Sequence, residues 1–410
     1  MPGYDYIIAG GGASGLSLAY HLNQAGLTDK RILLVERAPK TLNDRTWCFW
    51  EAGENAFESI LYRTWDRLAF YGNGFDRVFD IAPYRYKLLR GIDFYQFMDR
   101  WLAQQPNIER LYADVTDTGT DGNTAVLHAS GQRYEADWIF NSLQYPVLSS
   151  ESLVLNPQVT TDRTKHQALR TKHFLFQHFT GWVIETEQDA FDVTTPTLMD
   201  FRVAQPVIRD MRGDTRFVYV MPFGPRQALV EYTVFSPELL RDDEYRAWLR
   251  EYIHEFLGLD EYAIHEEEHG VIPMTDVPFD TFNSPCVMNI GTAGGRTKPS
   301  TGYTFLRIQD HARQIAQALK VTGRPHVGEA FARKRFRFYD SVLLDVLDRD
   351  RRAGAAVFTE LYQRNPIQRI FRFLDEQTAL GEELQLMLST HLLTFSRAAL
   401  HVGFTRKFPY

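Results

Sequence analysis

The stretch Tyr4-Asp-Tyr-Ile-Ile-Ala-Gly10-Gly-Gly12-Ala-Ser-Gly15-Leu-Ser-Leu-Ala19 decides the fold of this 410-residue chain. An apolar strand runs into glycines at G-x-G-x-x-G spacing, and a helical pattern follows. Gly10 allows the tight turn, Gly12 lets a pyrophosphate approach the backbone, and Gly15 lets the helix pack on the strand. A second apolar strand ends at Glu36, whose carboxylate can accept hydrogen bonds from a ribose. The stretch therefore predicts a dinucleotide-binding fold.

The motif alone does not distinguish NAD from FAD, but two features of the chain favour FAD. The motif lies at the extreme N-terminus of a chain far longer than one nucleotide domain. After Glu36 the sequence continues into Asn43-Asp-Arg45-Thr-Trp-Cys-Phe-Trp50 instead of another βα unit. Arg45 could reach a phosphate or the flavin side of the cofactor; the alternative is a surface salt bridge.

A second glycine-rich junction, Asn289-Ile-Gly291-Thr-Ala293-Gly294-Gly-Arg-Thr-Lys-Pro-Ser-Thr-Gly302-Tyr-Thr-Phe305, lies late in the chain. A short apolar strand enters it and a helix-forming run follows. Free backbone N–H groups and a helix N-terminus suit an electron-rich ring or an anion. With the first motif, this loop is predicted to be the second flavin contact, through Gly291, Ala293, Gly294 and Gly302.

The remaining patterns predict an α/β protein with an α+β insert. Aromatic and β-branched runs between residues 172 and 235 are typical of an antiparallel sheet, and the sequence after residue 301 is helical in pattern. We expect a discontinuous FAD-binding domain over residues 1–80, 105–165 and 265–325. A substrate-side sheet domain would take residues 81–104 and 166–264, and a helical region residues 326–410.

Composition limits the partners and the compartment. A net charge of −7 and a pI near 6.0 argue against nucleic acid. Two cysteines, Cys48 and Cys286, suit a reducing compartment, and neither a signal peptide nor an apolar run of about 20 residues is visible. Residues 331–410 carry 13 Lys and Arg against 9 Asp and Glu. This basic region predicts either contact with an anionic membrane surface or a solvated helical subdomain.

Seven strings in the chain belong together: Asn43-Asp-Arg-Thr-Trp-Cys-Phe-Trp50, Gln177-His-Phe-Thr-Gly-Trp-Val-Ile-Glu185, Pro196-Thr-Leu-Met-Asp200, Phe217-Val-Tyr-Val-Met-Pro222, Val230-Glu-Tyr-Thr-Val-Phe235, Glu268-His-Gly-Val-Ile-Pro273 and Gly291-Thr-Ala-Gly-Gly-Arg-Thr-Lys-Pro-Ser-Thr-Gly-Tyr-Thr-Phe305. In this order they resemble the lycopene β-cyclases of carotenoid synthesis. The resemblance covers roughly residues 4 to 310.

The resemblance implies a p-hydroxybenzoate-hydroxylase-like flavoprotein fold and an enzyme that needs reduced FAD although its reaction has no net redox change. NAD(P)H, or a reductase partner, would supply the electrons. The substrate would be lycopene or another carotenoid with an acyclic end, drawn from a membrane. The protein is therefore expected in the cytoplasm, peripherally attached to a membrane.

Cyclisation of a polyene end needs a proton on the terminal double bond, then ring closure of the resulting cation and loss of a ring proton. A buried carboxyl with a raised pKa can hold that proton at neutral pH. Glu231, on an otherwise apolar strand, matches the family's acidic motif; the alternative is a solvent-facing strand position. Asp200 is a second candidate, as hydrogen-bond partner, base or structural carboxylate.

Three further points concern neighbouring acids and histidines. Some family members have two adjacent acids where this chain has Glu231-Tyr232, so the role of a second acid is in doubt. The run Glu266-Glu-Glu268 is typical of a solvated surface, and only Glu268, beside the Gly-Val-Ile-Pro turn, is singled out as a possible site residue. His265 and His269 are four residues apart without further grouped ligands, and we expect no metal site.

Two other functions stay open from the residues. A flavin monooxygenase or reductase acting on an isoprenoid has the same fold, but oxygenases usually carry an Asp-Gly pair after the returning strand and a Gly-Asp pair in the second flavin loop. Here those positions read Asn141-Ser142 and Gly291-Thr292. A non-catalytic carotenoid-binding flavoprotein is the third possibility, and a buried acid at Glu231 argues against it.

Overall fold

The described part of the chain comprises residues 3–143, 174–205, 214–328, 331–349 and 352–405 of a computed structural model. The strands are β1 (Tyr4–Ala9), β2 (Ile32–Glu36), β3 (Thr46–Glu51), β4 (Arg63–Trp65), β5 (Arg67–Gly72), β6 (Phe75–Asp80), β7 (Arg85–Arg90), β8 (Ile108–Tyr112), β9 (Val115–Asp121), β10 (Thr124–Ala129), β11 (Gln132–Asn141), β12 (Phe174–Glu185), β13 (Thr197–Asp200), β14 (Thr215–Gly224), β15 (Gln227–Ser236), β16 (Ala263–Thr275), β17 (Phe282–Ser284) and β18 (Val287–Asn289). The helices are α1 (Ala13–Gln24), α2 (Gly91–Leu102), α3 (Asp242–Glu255), α4 (Phe305–Thr322), α5 (Phe331–Asp348), α6 (Gly354–Arg364), α7 (Ile367–Leu374), α8 (Leu380–Ser389) and α9 (Leu392–Thr405).

The nucleotide side is built on a mainly parallel sheet. Its strand order is β17-β18-β11-β1-β2-β8, and the β9–β10 hairpin pairs with β11. The strands from β18 to β8 in that order are parallel, and β1 and β2 are buried and almost wholly apolar. Such continuous apolar runs are typical of strands covered on both faces. Helices α1 and α4 pack against each other on one face.

The second sheet is mainly antiparallel, with strand order β16-β12-β15-β14-β13-β5-β6. Side chains on β15 alternate between its two faces. Val230, Tyr232 and Val234 pack with helix α3, whereas Leu229 and Phe235 belong to the core shared with the C-terminal helices. The sheet therefore has one face covered by α3 and an opposite face turned towards the rest of the molecule.

The C-terminal helices close much of that opposite face. Phe358 of α6 stacks on Phe201, with ring centroids 5.6 Å apart, and Phe371 of α7 stacks on Trp50 at 4.3 Å. Helix α9 packs on α5. Within the described ranges, no helix combines the length and apolar character that a membrane crossing requires.

Three segments pair differently from the division predicted from sequence. Strands β5 and β6 were expected in the FAD-binding part but belong to the second sheet, and so does β16, most of which lies beyond residue 265. Helix α2 was expected on the substrate side, yet it packs into the core of the nucleotide side with α1. Strand periodicity shows which residues are buried but not which distant strand is the partner. The predicted boundary between residues 165 and 166 lies outside the described residues.

Candidate active site

The turn between β1 and α1 has the geometry of a nucleotide-binding loop. Gly10 has a φ of +99°, and a Cβ at Gly15 would lie 1.9 Å from the carbonyl oxygen of Gly10. These two glycines are therefore required for the turn and for the close helix contact. At Gly12, by contrast, a Cβ would meet nothing within 4 Å, because this glycine faces open space at the N-terminus of α1. That opening and the exposed helix amides suit a pyrophosphate.

Glu36 lies at the end of β2 beside the same turn. Its Oε2 accepts a hydrogen bond from the Gly11 backbone N–H at 2.5 Å, and Oε1 accepts one from the Arg37 N–H at 3.0 Å. Glu36 and Gly11 also line a small pocket with Leu34 and Tyr112. This is where the ribose and base of a dinucleotide would lie in the predicted fold.

The second glycine loop meets the first. Gly291 has a φ of +62°, and a Cβ there would approach Ser14 to 2.8 Å; Ala293 is buried. A Cβ at Gly294 would lie 2.4 Å from the Asn289 carbonyl oxygen, so this turn also excludes side chains. The two loops predicted to contact the flavin are thus side by side.

Gly302 joins the second loop to the second sheet. Its φ is +71°, and a Cβ would lie 2.5 Å from Oε1 of Gln177 on β12. That Gln177 oxygen is buried and has no hydrogen-bond partner among the described residues. An unpartnered buried acceptor beside a ligand loop is expected where a ligand supplies the donor.

A cavity of about 850 Å³ lies between the two loops and the second sheet. This volume is at the upper end of the range for small-molecule sites, about 300–1,000 Å³. The lining includes Gly12, Arg45, Thr292 and Gly302, so Arg45 reaches the cavity. Three features of this region fit a bound dinucleotide: the open space at Gly12, the small pocket beside Glu36 and the unpartnered buried oxygen of Gln177.

Glu231 lies on the cavity face of β15, in a row of residues that crosses four strands. In the strand register, Gly181 of β12 is opposite both Glu231 and Glu268 of β16, and Tyr219 of β14 is opposite Glu231 on its other side. Residues in register share one face of a sheet. Glu231, Glu268 and Tyr219 all line the cavity.

The surroundings of Glu231 keep its carboxyl protonated. Burial raises its pKa well above the ordinary range, and the charge of Glu268 raises it further. Thr233 donates a 2.9 Å hydrogen bond to Oε1, which opposes the shift. Burial also raises the pKa of Glu268, whereas hydrogen bonds from Thr46 (2.7 Å, to Oε2) and Glu231 lower it. The arrangement therefore favours the protonated form of Glu231 beside Glu268, whose hydrogen bonds favour its ionised form.

Aromatic side chains form much of the remaining wall. Tyr86, Tyr219 and Tyr303 line the cavity, and burial is the main cause that raises the pKa of each phenol. They are therefore neutral and can offer ring faces to a cation. Trp47 stacks on Phe305 with ring centroids 5.3 Å apart. Such a wall suits a hydrocarbon that passes through a positively charged state.

Asp200 is not brought to this cavity. It is fully buried behind the second sheet, where its Oδ2 pairs with Arg202 Nη2 at 2.5 Å and accepts a 2.8 Å hydrogen bond from Tyr252. The geometry favours the structural interpretation of this carboxylate. His265 and His269 pair with Glu185 and Glu267 at 2.7 Å each. No group of three metal-binding side chains occurs in the part of the chain that the structure describes.

Glu268 is a site residue whose place in the cavity was not predicted from the sequence. The run Glu266-Glu-Glu268 was expected to be solvated, and Glu266 is indeed exposed. Glu268, two residues along the same face, lies in the cavity lining instead. The available signal was Gly181, because a glycine in an aromatic strand often marks a close approach of neighbours.

Comparison with known proteins identifies the family of the chain. Residues 5–400 match the family model described as lycopene cyclase protein. The chain is 25% identical over 338 residues to lycopene beta cyclase of Capsicum annuum and 24% over 327 residues to that of Arabidopsis thaliana; each alignment covers 77% of this chain. It is 22% identical over 413 residues to capsanthin/capsorubin synthase of Citrus sinensis, across 94% of this chain and 76% of that protein. The chain spans about 60% of the length of the two cyclases.

Solved structures show the same architecture. A geranylgeranyl bacteriochlorophyll reductase-like protein from Thermoplasma acidophilum superimposes with a TM-score of 0.59 and 12% identity, over 99% of this chain and all of that one. For p-nitrophenol 4-monooxygenase from Pseudomonas putida the TM-score is 0.56 at 16% identity, with 98% of both chains covered. The fold is that of the p-hydroxybenzoate-hydroxylase-like flavoproteins, as the sequence predicted.

Proposed function

The chain belongs to the lycopene cyclase family, and we propose that it is a lycopene β-cyclase, an isomerase that closes acyclic carotenoid ends into β-ionone rings. One observation carries the proposal: Glu231 is a carboxyl group that lines an aromatic cavity beside two nucleotide-binding loops, where burial raises its pKa. A general acid for a hydrocarbon has to hold its proton near neutral pH and deliver it out of water. A carotenoid-binding protein without catalysis has no need of that acid.

We assign FAD as the cofactor. Gly10, Gly12, Gly15 and Glu36 would hold its adenosine diphosphate half, and Arg45 with the Gly291–Gly302 loop the flavin half. Reduced and bound, FAD would supply negative charge beside the cavity, which stabilises a cation strongly at low dielectric. NAD(P)H or a reductase partner would keep it reduced. Thr292, where oxygenases carry Asp, supports a cyclase over a monooxygenase.

The chain's own residues account for the steps on the substrate. Glu231 gives its proton to the terminal double bond, which leaves a tertiary cation and a carboxylate. The rings of Tyr219, Tyr86 and Tyr303 face that cation, each worth about 0.5–2 kcal/mol. The internal double bond then attacks the cation, and the Glu231 carboxylate takes up the ring proton, which restores the acid. The cavity walls exclude water that would otherwise trap the cation.

The proposed site of action is the cytoplasmic surface of a membrane, where a C40 hydrocarbon dissolves. Leucines on α8 and α9, with Phe404, are exposed, from 50% for Leu392 to 87% for Phe404. We call this set the leucine surface; it comprises Leu380, Leu384, Leu388, Leu392, Leu393, Leu400 and Phe404. It begins three residues after Gln377, which lines the cavity. A bilayer in contact with this surface would therefore lie close to the cavity.

The reaction itself tests the proposal. The purified protein, with FAD reduced anaerobically, is mixed with lycopene in liposomes, and the pigments are separated by chromatography. We expect γ- or β-carotene without oxygen. Product that appears only with O2 and NAD(P)H would replace the proposal with a monooxygenase, and bound but unchanged lycopene would replace it with a binding protein.

A further inference from the structure

Two carboxyl groups meet in the cavity because the residue between them has no side chain. Glu231 and Glu268 lie on strands that flank β12, and Gly181 is opposite both. A Cβ at Gly181 would lie 3.3 Å from Cβ of Glu231 and 3.2 Å from Cγ of Glu268. Flanking strands are about 9.5 Å apart, so their side chains meet only across such a gap. The gap brings the two carboxyls within hydrogen-bonding reach.

The neighbouring position along β15 cannot provide such a contact. Tyr232 points to the opposite face, where it packs in the core formed with helix α3. Adjacent residues on a strand face opposite sides, so an acid at position 232 would not lie beside Glu231. The second acid on the cavity face is supplied by another strand, β16.

Glu268 is held independently of Glu231. Its Oε2 accepts a 2.7 Å hydrogen bond from Thr46 Oγ1 at the start of β3, and the charge of Arg45 favours its ionised form. A fixed carboxylate beside a carboxylic acid forms a pair that shares one proton, as like charges at contact distance cannot both ionise readily.

We propose that Glu268 is the proton-sharing partner of Glu231: a positioning residue that accepts the hydrogen bond of the Glu231 carboxyl and keeps the proton on it. This inference rests on the proposed cyclase function, in which Glu231 is the acid. Glu268 acts through Glu231 and needs no contact with the substrate.

The groups that face the pair define what else could influence its titration. Tyr219 faces it from β14 and Tyr86 from β7, and both phenols are neutral. Cys48 of β3 is a neutral thiol, and Tyr303 comes from the second glycine loop. The charged neighbours of Glu268 are Arg45 and Glu266, and helix α3 lies on the other face.

Substitution Glu268→Gln tests the proposal through the pH dependence of cyclisation. The amide carries no charge and can donate a hydrogen bond, and both changes favour ionised Glu231. We expect the high-pH limb of the activity profile to move to lower pH by about one unit or more. Gly181→Ala keeps both acids but inserts a methyl between them, so a smaller shift in the same direction is expected. Glu268→Asp should restore part of the wild-type limb.

Glu267→Gln is the matched control, because Glu267 is the adjacent residue on the same strand and pairs with Arg246 and His269 on the opposite face. Its pH limb should coincide with that of wild type. If Glu268→Gln lowers activity by the same factor at every pH, Glu268 is only structural and the proposal is overturned.

An infrared titration separates this inference from the proposed function. The C=O stretch of a protonated carboxylic acid is followed against pH in the wild type, and the band that Glu231→Gln removes is assigned to Glu231. We expect that band to disappear at lower pH in Glu268→Gln than in wild type. An unchanged midpoint refutes the pair. If the band midpoint is lower in Glu268→Gln than in wild type but the wild-type protein forms no ring, the proposed cyclase function is refuted and the inferred pair of carboxyls stands.

Discussion

Glu231 combines two requirements that usually conflict. As the proposed acid, it has to be protonated near neutral pH, which burial and the neighbouring Glu268 favour, and it has to remain accessible to the substrate. Both are met because the side chain is surrounded by protein but still exposes part of its surface to the cavity. A carboxyl of this kind gains acidity as soon as a cation or a positive dipole approaches.

Substitution Glu231→Gln is expected to lower the cyclisation rate by about 100-fold to 10,000-fold, the usual contribution of a general acid. The amide is nearly isosteric and can still accept a hydrogen bond from Thr233, so the fold should be unchanged. Ring formation is measured by chromatography and bound flavin by its visible absorbance. Wild-type activity in the variant would rule out Glu231 as the acid, and lost flavin would make the result uninterpretable for catalysis.

The sequence reveals Glu231 but not its partner, for a physical reason. An acid within Ala228-Leu-Val-Glu-Tyr-Thr-Val-Phe235 is conspicuous because its neighbours are apolar. Glu268 stands in a run of acids, and the register of β12 against β16 decides which of them enters the cavity. Register between strands some 90 residues apart depends on the whole sheet. Asp200 shows the reverse error, since Arg202, only two residues away, pairs with it outside the cavity.

Among the elements, the β1–α1 turn tolerates least change. For Gly15→Ala, the methyl would overlap the Gly10 carbonyl oxygen, so α1 would have to move off the turn. We expect a protein destabilised by about 1–3 kcal/mol that no longer retains FAD. Flavin content and a urea unfolding curve measure both effects. Gly53→Ala is the control, because its Cβ would meet nothing within 4 Å; equal flavin content in the two variants would contradict the assigned role of the turn.

The packing of β12 on α3 includes a buried histidine. His178 Nε2 lies 2.8 Å from Ser236 Oγ, and Nδ1 contacts the Tyr245 hydroxyl. Burial, with a smaller effect of Arg216, lowers the pKa of His178 to about 4. In the unfolded chain His178 binds a proton below about pH 6.5, whereas in the native state it stays unprotonated until about pH 4. Stability from this group is therefore complete above pH 6.5 and falls as the pH drops towards 4.

Between pH 6.5 and 5, His178 is expected to remove about 2 kcal/mol from the free energy of unfolding. The substitution His178→Gln should make that pH dependence shallower by this amount, whatever it does to stability at pH 7. Urea unfolding at the two pH values gives the difference, in which groups common to both proteins cancel. Parallel slopes for wild type and His178→Gln would show that His178 already titrates normally.

Elements were predictable where a local pattern also fixes the contact. The strand, turn and helix from Tyr4 to Gln24 follow from one continuous motif, and the antiparallel strands β14 and β15 are joined by a short turn. Strands β5 and β6 were misplaced because β5, which pairs with β6, joins the second sheet through β13, more than 100 residues further on. The sequence of a single strand does not indicate which distant strand pairs with it. Such distant pairing is possible because the free-energy cost of closing a loop rises only slowly with loop length.

At the scale of the whole molecule, the basic C-terminal region uses much of its charge internally. Arg335 pairs with Glu383 at 2.8 Å, Arg349 with Asp345 at 3.1 Å, and Arg372 with Glu382. Arginines in such pairs contribute less to attraction by an anionic membrane. Under the proposed function, the described part of this region would therefore contact a bilayer chiefly through the leucine surface.

The double substitution Leu384→Asp with Leu388→Asp tests this surface. Both side chains are 57% exposed, so the fold should tolerate the change. Because a fully buried leucine contributes about 1.5–3 kcal/mol, loss of two partly buried ones should weaken binding by roughly 10-fold to 100-fold. Co-sedimentation with anionic liposomes measures binding. Cyclisation of lycopene in liposomes should fall in parallel, while activity on lycopene in detergent micelles should be retained.

The matched control is Val321→Asp, which places a charge at an apolar side chain that is 69% exposed on α4, a helix that contributes no residue to the leucine surface. It should sediment like wild type. Equal binding of all three proteins would show that another surface contacts the bilayer. Reduced binding with full activity in liposomes would show that attachment through the leucine surface and entry of lycopene into the cavity are separate.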